Sequence, residues 1–145
     1  MNARFRAAIV GGNGYVGQVL HALLMHHPCI SPVLIDGKEP TDAVRDRCRS
    51  CDVVALATPS EAARVWVAAL KAEGVAVLDL SDAHRQIDGV HYGVPELFGA
   101  PASDTLLVAN PGCYPTATLL ALRPLVVADA IATSDAVAVH GASGT

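Results

Sequence analysis

A chain of 145 residues, 52% of them hydrophobic, is the size of one domain and long enough to bury a single core. Ten basic and fourteen acidic residues leave a net charge of −4, and the basic ones are scattered, which excludes the electrostatic footprint of a nucleic-acid binder. A mean hydropathy of +0.38 hints at an interface, but the longest apolar stretch, TATLLALRPLVVADAIA, is broken by Arg123, Pro124 and Asp129, so no membrane contact is expected.

FRAAIV (5–10) is a short apolar run ending in glycines and predicts a buried strand. The apolar run here is too short for a secretory signal, and four cysteines without one predict reduced thiols in a cytoplasmic protein rather than a disulfide framework. From Gly14 to about Met25, Tyr15, Val16, Val19, Leu20, Leu23 and Leu24 recur at helical spacing. PVLID (32–36) predicts a second strand. The charged segment 39–50 predicts a short helix, of which VRDRCR (44–49) is a solvated face. DVVALAT (52–58) is a third strand, and SEAARVWVAALKAEG starts on a Ser60 cap and ends in Gly74, a helix. VAVLDLS (75–81) is a fourth strand, 82–104 reads as irregular, and TLLVAN (105–110) is a fifth. Residues 115–128 predict a helix and DAVAVHG (135–141) a sixth strand.

Strands apolar on both faces, alternating with amphipathic helices, predict an α/β fold: a doubly wound, Rossmann-type, mostly parallel sheet of six strands covered on both sides. The chain stops just past a predicted strand, where such a sheet crosses to something else. A second domain is therefore expected to be missing from it.

IVGGNGYVGQVL follows the first strand and opens the first helix. Gly12, Gly14 and Gly17 fit G-x-G-x-x-G, and Gly11, Gly14 and Gly17 fit a looser G-x-x-G-x-x-G. The order strand, glycine turn, helix, strand is what dinucleotide binding requires. Missing Cβ atoms let a pyrophosphate approach the backbone, and the helix start offers unpaired N–H groups to it. Gly11, Gly12, Asn13, Gly14, Tyr15, Val16 and Gly17 are the expected cofactor contacts. Asp36 lies about 20 residues beyond the glycines, where a carboxylate accepts from a ribose 2′-hydroxyl and repels a 2′-phosphate. It favours NAD, Lys38 two residues on counters it, and Asp36 as a plain turn residue is an equal reading. Pro59, after the third strand, borders the cofactor in such a fold and equally suits a helix cap with Ser60.

VANPGCYPT (108–116) places Cys113 behind an Asn-Pro-Gly turn. The turn sits at the carboxyl end of the fifth strand, where open α/β sheets bind ligands. A helix follows, with Pro115 in a first-turn position that tolerates its missing donor. A helix N-terminus favours thiolate, which is useful only to a nucleophile; a buried, filling cysteine is the competing reading. Beside a nicotinamide, a cysteine nucleophile points to attack on an activated acyl group, a thioester, and reduction to an aldehyde. Arg85 suits an anionic substrate or an ordinary ion pair. Asn110 either donates to acyl-phosphate oxygens or makes an Asx turn. Elsewhere, Cys48 and Cys51 have C-x-x-C spacing but no second pair. His21, His26, His27 and Cys29 gather at a helix end whose dipole favours histidine there. No metal site is expected.

GGNGYVG, VLDLSDAHR, HYGVPEL and above all VANPGCYPTATLLALRPL resemble the N-acetyl-γ-glutamyl-phosphate reductase family. The similarity covers the whole chain, and the short connection between strands two and three is similar to the family's compact branch. The resemblance implies that Cys113 is the nucleophile and that Ser81 belongs to the active-site wall, with Arg85 and Asn110 as further substrate contacts. It also implies that Ser143 and Gly144 form a cofactor-side loop. The implied reaction is NADPH-dependent reduction of N-acetyl-L-glutamyl 5-phosphate to the 5-semialdehyde with release of phosphate, in arginine biosynthesis. NADP is then the expected cofactor, with NAD kept open by Asp36. The expected partner is a small-molecule acyl phosphate, and a homo-oligomer is expected at full length.

Two departures stand out. The family is about twice as long, and its second half carries the catalytic histidine, much of the substrate pocket and the oligomer contacts; none of His84, His91 or His140 sits in the matching motif. The family also ends this region with S-G-A-G-R, where this chain reads Ser143-Gly144-Thr145. Three rival readings are aspartate-semialdehyde dehydrogenase, whose cysteine block has Asn where Gly112 stands, a lysine-pathway acyl-phosphate reductase, and a non-catalytic dinucleotide-binding fragment.

Overall fold

The computed structural model describes residues 5–132 and 134–142. The chain runs β1 (Phe5–Val10), α1 (Tyr15–Met25), β2 (Ile30–Ile35), α2 (Asp42–Arg49), β3 (Val53–Leu56), α3 (Ser60–Ala72), β4 (Val77–Asp79), β5 (His91–Tyr92), α4 (Pro95–Phe98), β6 (Leu107–Ala109) and α5 (Cys113–Val127). The six strands form one sheet in the order β2-β1-β3-β4-β6-β5, and every pairing is parallel. From β1 the chain steps outward to β2 and then returns to β3 on the other side, so the strand order reverses between β1 and β3. Right-handed crossovers then put α1 and α3 on opposite faces of the sheet.

The central strands are apolar on both faces because both faces are covered. Ala8, Ile9, Val10, Val54 and Leu56 are fully buried. Onto Ala8, Val10, Val54 and Leu56, which share one face, α3 lays Ala63, Trp66, Val67 and Leu70, an i, i+3, i+4, i+7 stripe. The helix stops where Gly74 takes a φ of +72° and Val75 N–H turns back to the Leu70 carbonyl at 3.0 Å. The arginines of α2 reach past solvent to the same end: Arg45 and Arg49 pair with Glu73 at 2.7 and 2.9 Å. Between them Cys48 points inward and is fully buried.

Three expectations are corrected. Residues 135–141 form no strand; the free edge of β6 is already taken by His91 and Tyr92, opposite Val108 and Ala109, which leaves only a two-residue edge to pair with. The sheet reaches six strands through β5, inside the segment read as irregular, which also holds the single turn of α4. Ser60 is not the cap of α3. Pro59 holds that position without a side-chain cap bond, because the Ser60 hydroxyl donates instead to the Asp82 carboxylate.

Candidate active site

Parallel pairing puts the carboxyl ends of β1, β3, β4 and β6 along one edge of the sheet. The glycine turn follows β1 and the Asn-Pro-Gly-Cys turn follows β6, three strand spacings away, or about 14 Å at the usual separation. The candidate site lies along that edge.

At the glycine turn the backbone leaves no room for side chains. Gly11 has a φ of +82°, and a Cβ there would stand 2.3 Å from the Ala57 carbonyl oxygen. A Cβ on Gly17 would stand 2.3 Å from the Gly11 carbonyl oxygen, so α1 begins directly against the turn. Gly14 is the N-cap of α1, with no side-chain cap and no acidic residue in the first turn. The first amides of α1 are therefore left to a ligand or to water. Gly11, Gly12 and Asn13 line a cavity of about 270 Å³ with Ile35, Asp36, Gly37 and Lys38. Asp36 and Lys38, read from the sequence as opposing votes on the ribose, thus share one cavity.

Tyr15 and Val16 are placed apart from that cavity. They are exposed and line an apolar groove with Val19, Leu20, Leu23 and Leu80. Pro59 is exposed at the start of α3. Ser143 and Gly144 lie outside the described residues. Thr58, which sequence reading missed, sits where the strand order reverses: its Cγ2 would meet a Cβ on Gly11 at 3.2 Å, and its hydroxyl is buried without a protein partner. Its position just after β3 was the available signal.

Cys113 is the first residue of α5 and is exposed, so the filling role is excluded. Gly112 is the N-cap, again without a side-chain cap or a first-turn acid. The turn is braced by Thr116, whose N–H and hydroxyl both donate to the Gly112 carbonyl, at 3.0 and 2.7 Å. Gly141 approaches the same helix start, since a Cβ on it would fall 2.3 Å from the Tyr114 ring. Cys48 differs in kind: burial pushes its thiol up to about 11, a neutral and inert group at ordinary pH.

Beside Cys113, Arg85 donates through Nε to the Asn110 carbonyl at 2.9 Å and through Nη2 to the Leu80 carbonyl at 3.3 Å. Its Nη1 lies 3.1 Å from where a Cβ of Gly112 would be. Arg85 is therefore laid along the backbone of the cysteine turn, with Arg64, Gln86, Tyr92, Phe98 and Pro115 around a cleft of about 690 Å³. Asn110 donates its side-chain amide to the Pro111 carbonyl at 3.1 Å. Ser81 accepts the Ala83 N–H at 3.1 Å. Asp82, at the rim of this cleft, is held below the usual carboxylate range by the Ser60 hydroxyl.

The histidine cluster at the end of α1 makes local contacts: His26 Nδ1 lies 2.9 Å from the Ala22 carbonyl, and His27 Nδ1 accepts the Cys29 N–H at 3.1 Å. Among the described residues no helix is long and apolar enough to cross a membrane.

Known proteins fit this arrangement. Residues 36–104 match the family described as semialdehyde dehydrogenase, NAD binding domain, a stretch that contains neither the glycine turn nor Cys113. N-acetyl-gamma-glutamyl-phosphate reductase of Burkholderia orbicola is 36% identical over 141 residues, covering 94% of this chain and 45% of that protein. N-acetyl-gamma-glutamyl-phosphate reductase 2 of Pseudomonas putida is 37% identical with the same coverage. Among solved structures, aspartate semialdehyde dehydrogenase II of Vibrio cholerae superposes with a TM-score of 0.69 at 21% identity, over 86% of this chain and 47% of that one. The Candida albicans enzyme, solved with NADP, gives 0.64 at 18% identity, over 87% and 48%. These structures share the fold. The chain spans about half the length of the curated relatives it matches, and across that span its similarity is to N-acetyl-γ-glutamyl-phosphate reductases.

Proposed function

We propose that this chain is the dinucleotide-binding, thiol-bearing domain of an N-acetyl-γ-glutamyl-phosphate reductase, a cytoplasmic enzyme of arginine biosynthesis. It would reduce N-acetyl-L-glutamyl 5-phosphate to N-acetyl-L-glutamate 5-semialdehyde. The observation that carries the reading is the shared edge: an uncapped glycine turn and an uncapped, exposed cysteine helix open on the same side of one parallel sheet.

The cofactor pyrophosphate is assigned to the first amides of α1, over the turn that Gly11 and Gly17 keep free of side chains. Asp36 and Lys38, which line the cavity beside the glycine turn, would hold the ribose end, with NADP the cofactor the family implies and NAD the alternative that Asp36 favours. Cys113 sulfur attacks the acyl carbon, the bond from that carbon to the phosphate oxygen breaks, and inorganic phosphate leaves a thioester on Cys113. The nicotinamide, when bound, supplies the hydride that takes the thioester to the aldehyde, and the sulfur departs as the leaving group. Arg85, fixed beside the turn, offers a permanent positive charge to the phosphoryl group before it leaves. Ser81 shapes the loop that carries Arg85, and the second donor of the Asn110 amide is available to the acyl phosphate.

The test is an NADPH-oxidation assay of the gene product with N-acetylglutamyl phosphate and, separately, aspartyl phosphate. Turnover of the N-acetylated substrate, abolished in Cys113→Ser, is the expected result. Preference for aspartyl phosphate, or turnover that survives Cys113→Ser, would overturn the reading.

A further inference from the structure

Asp79 closes β4 and is fully buried, alone among the charged residues described. A buried carboxylate has to be paired and hydrogen-bonded. Here Oδ1 accepts the Ser81 N–H at 2.9 Å and Oδ2 lies 2.6 Å from Nδ1 of His84. Oδ2 and Nδ1 thus share one hydrogen bond inside the core. The Asp79 backbone carbonyl meanwhile accepts the Asn110 N–H at 2.8 Å. One residue thus ties the cysteine turn to β4 and folds residues 79–84 into a tight loop around its own side chain. The next residue in the chain is Arg85.

We infer that the Asp79–His84 pair is a positioning device for Arg85. Neither residue was assigned a role by sequence, and the inference rests on the reading of Arg85 given under Proposed function. His84 fixes where the loop ends, so Arg85 reaches the Asn110 and Leu80 carbonyls and lies against Gly112. Those two bonds use two of the five guanidinium N–H donors, which leaves charge and donors for an anion in the cleft. An apolar residue at 84 strands Oδ2 in the core. The loop must then open to rehydrate it, and Arg85 moves off the cysteine turn.

The charge beside Cys113 is measurable on the chain itself. Its alkylation rate is compared between iodoacetate, an anion, and iodoacetamide, which is neutral, by peptide mass spectrometry. Arg85→Gln is expected to lower the iodoacetate-to-iodoacetamide ratio about three- to fivefold, the effect of one nearby unit charge in a solvated site. His84→Phe is expected to lower it equally. His84→Asn places an amide nitrogen where Nδ1 stood and is expected to restore the ratio, whereas His84→Gln, which reaches the position of Nε2, is not.

Continued protection of buried Cys48 from both reagents marks a variant as folded. A loss in Arg85→Gln without a loss in His84→Phe overturns the positioning role and leaves the reading of Arg85 intact. No loss in Arg85→Gln removes that reading and the inference with it. Should His84→Phe expose Cys48, the Asn and Gln variants decide alone, and equal ratios in those two overturn the inference.

Discussion

α3 and α5 are both rich in apolar residues, yet α3 buries four side chains to 5% exposure or less, while α5, two residues longer, buries none. α1 resembles α5, with Gly17 its only buried residue. Leu23 on α1 is 66% exposed and Val127 on α5 71%. The high mean hydropathy of the chain therefore has two sources. One is a core between α3, α2 and the sheet, and the other is apolar surface carried by the two helices that open beside the candidate active site. Stability of this chain should come from the first and hardly at all from the second.

Truncating the core is the strongest way to break that contrast. Trp66→Ala is expected to cost about 3–5 kcal/mol in urea or thermal unfolding, the range for emptying a buried aromatic site. Leu23→Ala on α1 is expected to stay within about 0.5 kcal/mol. Equal costs would dissolve the distinction.

Cys48 sharpens it through pH. Its thiol is raised from 9.0 to about 11 in the folded chain. The unfolded chain therefore loses this proton first, and folding stability falls as pH climbs between those values. The loss reaches up to about 3 kcal/mol at about 1.4 kcal/mol per pH unit. Cys48→Ala should flatten the alkaline limb of a pH-stability curve; an unchanged slope would place Cys48 in a wetter setting than its complete burial indicates.

Gly17→Ala pushes a methyl group into the Gly11 carbonyl. It is expected to cost about 1–3 kcal/mol, as overpacked sites do, and to remove the rise in melting temperature expected of the parent chain with NADPH. A full NADPH-dependent rise in Gly17→Ala would show that the turn does not hold the cofactor.

Local chemistry was legible in the sequence and long-range pairing was not. The glycine turn could be read because its residues are consecutive and their steric reason is local. The cysteine turn could be read because Pro and Gly mark it within four residues. The stretch 135–141 has strand composition, but a strand exists only where an edge accepts it, and His91 and Tyr92 occupy that edge with only two residues, too few to signal themselves. Asp79 and His84 stand five residues apart with a loop between them, so nothing in their spacing announces that one is buried and the other its partner. Arg85 reads from the sequence as a substrate contact or an ion-pair member; its bonds to the Asn110 and Leu80 carbonyls join distant parts of the chain and leave no trace in spacing.

Cys113 and Cys29 are both exposed thiols, and only Cys113 lies at the carboxyl edge with the glycine turn. Timed carboxamidomethylation of the two, with and without saturating NADPH, asks whether the sulfur and the nicotinamide share a site. NADPH is expected to slow Cys113 several-fold and to leave Cys29 untouched. Unchanged labelling of Cys113 by a chain that NADPH demonstrably stabilises would contradict it.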